Sequence, residues 1–467
     1  MKLGLKALLL AGIIALTAAF NETAPEDVTN VRTIKTFEAS APADSAAQTE
    51  APGHEGYTLN KVVVLSRHNI RSPLSDKGSM ISEVTPHDWF EWTSNTGELS
   101  LRGAMLETTM GQYFRLWLEK EGLFPENYIP ADGEVRFYAN GFQRTQATAR
   151  YFSAGLLPVA VVPVECLNGY NQADDTFLPK LNFTSDDYAS DVFDEIAVMG
   201  KAKGRGSEGF DGYLESLEDA FRLIMEVTDM EESEAYLSGE YGNLLKDEIT
   251  MTLETGSEPS MKGPVRMATS LADALILQYY EEPDDLKAAF GHKLTEEDWT
   301  TIGSVLATYE EILFSPSLLS VNLAHPMLME LRSELGADER RFSFLCGHDS
   351  TVTSVLAALG TDQYTLPEAA EPTTPIGIKV VFEQWIDDSG DAFYEAKLVY
   401  QSVDQLRAIT PLSLEVPPMI VPISFSGVQT NADGLIPEDE LLGLFDAKID
   451  EYYKLEDTYT SELQNAA

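Results

Sequence analysis

From about residue 57 onward, short apolar runs alternate with segments whose apolar residues recur at helical spacing. Val62–Leu65 is apolar, mostly β-branched and unalternated, which predicts a strand covered on both faces. Leu101, Met105, Leu106, Met110, Tyr113, Phe114 and Leu118 recur every three or four positions and predict a helix over 101–121, ended by Gly122. Val135–Ala139 predicts a second strand that runs into 140–149, where a turn begins a helix. Further strands are expected at 341–345, 378–385, 392–400 and 420–425, with helices at 352–359 and 439–453. Between residues 156 and 338 the pattern changes. Val159–Val164 offers one more strand, 174–194 reads as a polar loop, and helical spacing dominates at 216–227, 267–280, 296–314 and 320–335. Gly204–Gly209 reads as a flexible hinge, because it lacks the Gly-Lys-Ser/Thr ending of a phosphate loop.

These elements predict an α/β fold. Its core has three layers, with a mixed, mainly parallel sheet between helices, and an inserted, mostly helical cap. The expected core covers 57–158 and 339–445, the cap 159–338, and a C-terminal tail 446–467.

Composition adds an address and a constraint on partners. The 467 residues carry a formal charge of −44, which argues against nucleic acid or an anionic membrane surface as partner. Lys2 and Lys6, the apolar run Ala7–Leu16 and the small residues Thr17-Ala18-Ala19 have the parts of a signal peptide over 1–19. That run is too short to span a bilayer, and no cysteine follows it for a lipid. A periplasmic or secreted protein without a stable membrane anchor is therefore expected. Residues 20–56 read as a disordered acidic linker in which His54 is incidental. The two cysteines, Cys166 and Cys346, allow one bridge at most, and Cys346 ends an apolar run like a buried free thiol. The aromatic stretch holding Trp89, Phe90 and Trp92 either walls a pocket or plugs the core.

Three strand ends carry the candidate chemistry. After the first strand come Arg67, His68 and Arg71, with Pro73 stopping regular structure. Two guanidiniums suit phosphate oxygens, and an imidazole between them can attack phosphorus. The carboxyl end of a strand is where α/β sheets bind ligands. A basic surface loop is the competing reading. After the second strand, Arg144 stands at a helix start, where backbone N–H groups already favour anions. It reads equally as an exposed arginine. After the strand at 341–345 come Gly347, His348 and Asp349, again before a helix. Taken alone, a His-Asp pair is weak and commonly lies on the surface.

The stretch Arg67-His68-Asn69-Ile70-Arg71-Ser72-Pro73 resembles the Arg-His-Gly-x-Arg-x-Pro signature of the histidine acid phosphatases. Asn69 replaces the usual glycine, and this variant, followed by Leu74, resembles the glucose-1-phosphatase subgroup. Arg144-Thr145 and His348-Asp349 match the family's more distant motifs, and Ser270–Glu281 is similar to its cap helix. The resemblance spans about residues 56–445. It implies hydrolysis of a small phosphate monoester, with His68 as nucleophile and Asp349 as proton donor. Arg67, Arg71, Arg144 and His348 would bind phosphate, Leu74 would belong to the substrate loop, and Glu281 would be the cap's gating acid. A solvated acid near a helix end is an equal reading of Glu281. The resemblance implies no cofactor and no metal.

Within the family, glucose-1-phosphate is the expected substrate and phytase activity on inositol hexakisphosphate the alternative. From a different class, an exported protein that binds a phosphate ligand without turnover stays open. His292 and His325 lack partners at metal spacing. Gln429–Glu440 has some calcium-loop offsets, but Gln429 stands where an aspartate belongs. Oligomeric state has no signature here.

Overall fold

The computed structural model describes residues 54–75, 79–204, 206–207, 209–239 and 249–466. The signal peptide and most of the expected linker lie outside the described residues.

Strands β1 (Tyr57–Arg67), β2 (Val135–Ala139), β3 (Val164–Glu165), β4 (Thr250–Thr252), β5 (Ser260–Lys262), β6 (Phe342–Gly347), β7 (Lys379–Asp387), β8 (Ala392–Tyr400), β9 (Met419–Pro422) and β10 (Ile436–Pro437) follow in chain order. The helices begin with α1 (Met80–Glu83), α2 (Leu101–Lys120), α3 (Gln143–Leu156), α4 (Asp186–Lys203), α5 (Gly209–Ser216), α6 (Glu218–Val227) and α7 (Glu234–Ser238). They continue with α8 (Pro264–Glu281), α9 (Asp285–Ala288), α10 (Glu296–Phe314), α11 (Ser317–Leu335), α12 (Asp349–Ala358), α13 (Val403–Ala408) and α14 (Glu438–Ala466).

Eight of the described strands form one mixed sheet in the order β10-β8-β7-β1-β6-β2-β3, with β9 beside β8, while β4 and β5 pair separately. The parallel arrangement is confined to β1, β6, β2 and β3; the rest is antiparallel. In register, Arg67 lies opposite Gly347, and Ala139 opposite Cys346. Three parallel strands therefore end in line, and their following loops leave the sheet at the same edge.

Side chains alternate between two covered faces. Val62, Val64, Phe137 and Phe344 meet Phe114 and Phe152 of α2 and α3, and the Phe152 and Phe344 rings stack at 4.2 Å. Val63, Leu65, Tyr138 and Leu345 join the larger core that includes residues of α8, α10, α11 and α12. Continuous burial of Val62–Leu65 on both faces explains the unalternated run. Helices α2 and α3 cross closely because a Cβ on Gly111 would stand 2.1 Å from the Phe152 carbonyl oxygen.

Several expectations change. Of the proposed strand at 159–164 only Val164 pairs, as the first residue of β3, and Val161 is 97 % exposed. Pro158 and Pro163 remove two N–H donors there. Part of the expected loop at 174–194 is α4. Ser185 caps it by accepting from Tyr188 N at 3.2 Å, and Tyr188, Val192 and Ile196 are buried at four-residue spacing. The glycines near the expected hinge include Gly200 and Gly212, where a Cβ on either would meet backbone within about 2 Å, so they serve close packing. The closing helix runs to Ala466 rather than Tyr453, because Tyr452 packs against Phe183 and Tyr459 against Tyr188. His54 is not incidental: its Nε2 lies 3.1 Å from Glu395 and its ring meets Trp385 edge-on. Both cysteines are free, and Cys346 is buried. In the suspected calcium loop, Asn431 Oδ1 accepts from the Asp433 and Leu435 amides, an ordinary side-chain-supported turn. Trp89 and Phe90 line a cleft of about 480 Å³ with Lys287 and Phe290.

Candidate active site

The aligned ends of β1, β6 and β2 bring three distant segments together. Arg67, His68 and Arg71 are buried, at 2 %, 2 % and 4 % exposure, and His348 is at 5 %. His68 N donates to the Gly347 carbonyl at 3.1 Å, which ties the loop after β1 to the end of β6. The imidazoles of His68 and His348 lie edge to face, 5.5 Å apart. Arg144, at the first turn of α3, has Nη2 3.4 Å from His348 Nδ1. Asp349 opens α12, and its Oδ2 is 3.0 Å from Arg67 Nη2.

His68 has the geometry of a nucleophile. Its Nδ1 lies 2.9 Å from the Asn69 carbonyl oxygen, an acceptor, so Nδ1 carries the proton and Nε2 keeps its lone pair. Burial, and then Arg144, Arg71, His348 and Arg67, hold the His68 pKa well below the ordinary value near 6.5. The ring is therefore held neutral below the pH at which an ordinary imidazole takes its proton.

The arginines are shared between protein carboxylates and the pocket. Arg67 Nη1 donates to Glu371 and to the Thr374 carbonyl, both at 2.5 Å. Glu371 is itself held by Tyr280 OH and by the Ile376 amide. Arg71 makes a two-pronged pair with Asp273 of α8, each bond 3.0 Å. Arg67, Arg71 and Arg144 each leave the Nε–H without a partner. Burial and the neighbouring Arg71 push Arg144 down to about 10, against Asp349, Asp273 and Glu258. The cluster is thus short of hydrogen-bond acceptors, which the oxygens of an anion supply.

Acids surround Asp349. Burial pushes Asp349 up, but Arg67, Arg71 and His348 outweigh it and leave its carboxyl below the usual range. In the free protein the guanidiniums win over the acidic surroundings. Glu310 instead is raised to about 8 by burial and by Asp349, and accepts from Thr353 and Thr374 hydroxyls. Glu258 is raised to about 7 by the same two causes.

Two sequence-derived candidates sit apart from the cluster. Glu281 accepts from Ser100 Oγ at 3.1 Å and lies 3.7 Å from Arg102 Nε, so it does not reach the arginines of the site. The cap-helix acid that does is Asp273, two turns earlier on α8. Leu74 is 40 % exposed and lies against Gly97, whose carbonyl faces Arg144 Nη1 at 3.5 Å. Asn140, Asp273, Glu310 and Glu371 escaped the sequence reading, and only Asn140, at a strand's carboxyl end, had a signal.

The family model of the histidine phosphatase superfamily, branch 2, matches residues 58–401. The chain belongs to that family. It is 33 % identical over 390 residues to a glucose-1-phosphatase of Salmonella typhimurium, an alignment covering 83 % of this chain and 91 % of that one. It is 32 % identical over 384 residues to a glucose-1-phosphatase of Providencia rettgeri, covering 80 % and 88 %. Phytase AppA of Escherichia coli is 27 % identical over 395 residues, covering 81 % and 89 %. Among solved structures, the apo form of Hafnia alvei phytase superposes with a TM-score of 0.76 at 24 % identity, covering 86 % of this chain and 99 % of that one. As a histidine phosphatase of this branch, the protein is an enzyme that hydrolyses phosphate monoesters, and the reading as a binding protein without turnover falls.

Proposed function

We propose that this phosphatase acts on sugar phosphates of the glucose-1-phosphate type, through a phosphohistidine on His68. The observation that carries the reading is convergence: three segments meet where Arg67 contacts Asp349, Arg144 contacts His348 and His68 contacts His348, with Arg71 near enough to act on both imidazoles. His68 Nε2 attacks phosphorus in line, and the ester oxygen leaves as the P–O bond breaks. Asp349 gives that oxygen its proton. The guanidiniums and His348 hold the three remaining oxygens as charge builds on them. In the second step Asp349, now a carboxylate, takes a proton from water. The water oxygen attacks phosphorus, the N–P bond breaks, and phosphate leaves with His68 restored.

Glucose-1-phosphate is favoured because the two relatives above 30 % identity carry that activity in their names. Inositol hexakisphosphate is the second reading, supported by the 27 % identity to a phytase and by a 25 % identical Hafnia alvei phytase solved with myo-inositol hexakis sulphate. The leader at 1–19 supports export to the periplasm or beyond, and the helices from α4 to α11 fit an inserted cap over the pocket.

The test is a panel of glucose-1-phosphate, inositol hexakisphosphate and p-nitrophenyl phosphate at acid pH, run on the parent and on His68→Ala. Glucose-1-phosphate should give the highest kcat/KM. Protein quenched in alkali, where the N–P bond survives, should carry covalent phosphate only when His68 is present. Turnover by His68→Ala at the parent rate would remove the nucleophile assignment.

A further inference from the structure

Asn140 is fully buried, one residue beyond the end of β2. Its Oδ1 accepts two backbone N–H groups, from Gly141 at 2.7 Å and from Asp174 at 3.0 Å. Two main-chain donors on one atom decide which end of the amide is oxygen, because a flipped amide would set its NH₂ against both. The other end, Nδ2, therefore faces His348 Nε2, 2.8 Å away. An amide nitrogen can only donate, so Nε2 must offer its lone pair.

We propose that Asn140 is a positioning residue that fixes His348 as the neutral Nδ1–H tautomer and so aims an N–H, not a lone pair, at the phosphoryl group. The proposal rests on the reading of the site given above. Nδ1 lies on the side of Arg144, whose Nη2 is 3.4 Å away and is also a donor. Two N–H groups thus stand side by side with no acceptor between them, and a phosphoryl oxygen satisfies both. Adding a proton at Nε2 would set N–H against N–H across the contact with Asn140. Burial opposes that proton too, as do Arg144 of α3 and Arg71 and Arg67 of the loop after β1, while Asp349 of α12 favours it. Of the two rings that meet His348 edge-on, Phe142 does not titrate and His68 is neutral. His348 accordingly donates throughout the working range without titrating.

Two measurements test this. The first is direct: the full chain is labelled with 15N-histidine, and His348 is assigned by the signals lost in His348→Ala. Nδ1 should be the proton-bearing nitrogen and Nε2 the bare one from about pH 5 to 8, the range in which an unperturbed histidine titrates. A proton on Nε2 overturns the proposal. The second uses Asn140→Asp, which has nearly the same shape and keeps both backbone donors satisfied but replaces the amide donor by an acceptor. The new carboxylate pulls a proton onto Nε2, so the ring donates at Nδ1 only while doubly protonated. The ratio of variant to parent kcat/KM should then fall as pH rises, by about tenfold per unit above the new pKa. Because substrate ionisation is common to both proteins, it cancels in the ratio. A ratio flat with pH overturns the proposal. Should His68→Ala stay active while the nitrogen assignment holds, the proposed nucleophile fails and the tautomer stands.

Discussion

Arg67 Nη2 lies 3.0 Å from Asp349 Oδ2, so the proposed proton donor is an ion-pair partner before substrate arrives. Arg67, Arg71 and His348 outweigh burial and hold the free carboxyl low. A bound phosphoryl anion takes up the same guanidiniums, and the carboxyl must rise. Asp349 donates only when protonated, so its limb is a loss of activity with increasing pH. That limb should lie at higher pH in kcat, which reports the complex, than in kcat/KM, which reports the free enzyme. Superimposed limbs would exclude Asp349 as the titrating acid. In Asp349→Asn, sugar phosphates should slow by about 10²–10⁴-fold, the usual worth of general acid catalysis, and p-nitrophenyl phosphate by much less. Equal losses would point to another donor.

Stability should depend on pH through the two buried imidazoles. Burial first, and then neighbouring arginines, depress both His68 and His348 well below 6.5 in the folded protein. As pH falls below 6.5, the unfolded chain binds protons that the folded one refuses, so stability is lost towards the lower folded values. The melting temperature should drop over that window, and His348→Gln should flatten the slope. An unchanged slope would mean that this imidazole is not held neutral. Inorganic phosphate should raise the melting temperature by binding only the folded state, and Arg144→Ala should weaken that rise.

The legible parts of this chain are those whose signal is local. Val62–Leu65 is buried on both faces, so its composition alone marks it as a sheet centre. Arg67 ends a strand, Arg144 lies in the first turn of the helix after one, and His348 stands between a strand and a helix, so the fold needs only parallel register to unite them. Asp273, Glu310 and Glu371 act across long separations, on residues that no spacing along the chain connects to them. Glu281 looked the part because it closes a helix matching the family's pattern, yet its side chain turns to Ser100 and Arg102. The helix α4 was obscured by its acids, which suit a first turn as well as a loop.

The choice between Asp273 and Glu281 can be made kinetically. Asp273 occupies both Nη groups of Arg71, so any substrate using them must share or displace it. Asp273→Asn should change KM for glucose-1-phosphate by about tenfold or more, the scale of one charge-assisted hydrogen bond. Glu281→Gln should change it by less than about twofold, as a partly exposed ion pair predicts. The reverse ranking would return the gating role to Glu281.

Beneath the loop of the proposed nucleophile lies a buried charge pair whose loss should be felt in that loop. Lys379 Nζ and Glu107 Oε1 are 2.9 Å apart, and both side chains are fully buried. Glu107 also accepts from Asn69 Nδ2 at 2.8 Å, and Asn69 Oδ1 accepts from the Ile70 amide at the same distance. The side chain at the position where the family signature has glycine thus fastens the His68 loop to α2 and β7. Lys379→Met leaves Glu107 without its cation and should cost about 3–5 kcal/mol of stability, while Lys379→Met with Glu107→Leu should recover much of it. Asn69→Gly should loosen the loop and lower kcat more than it raises KM, because the carbonyl holding His68 Nδ1 belongs to residue 69 itself. Denaturant melts of the three variants, read beside kcat, separate the two effects. A wild-type kcat in Asn69→Gly would show that the backbone alone holds the His68 ring.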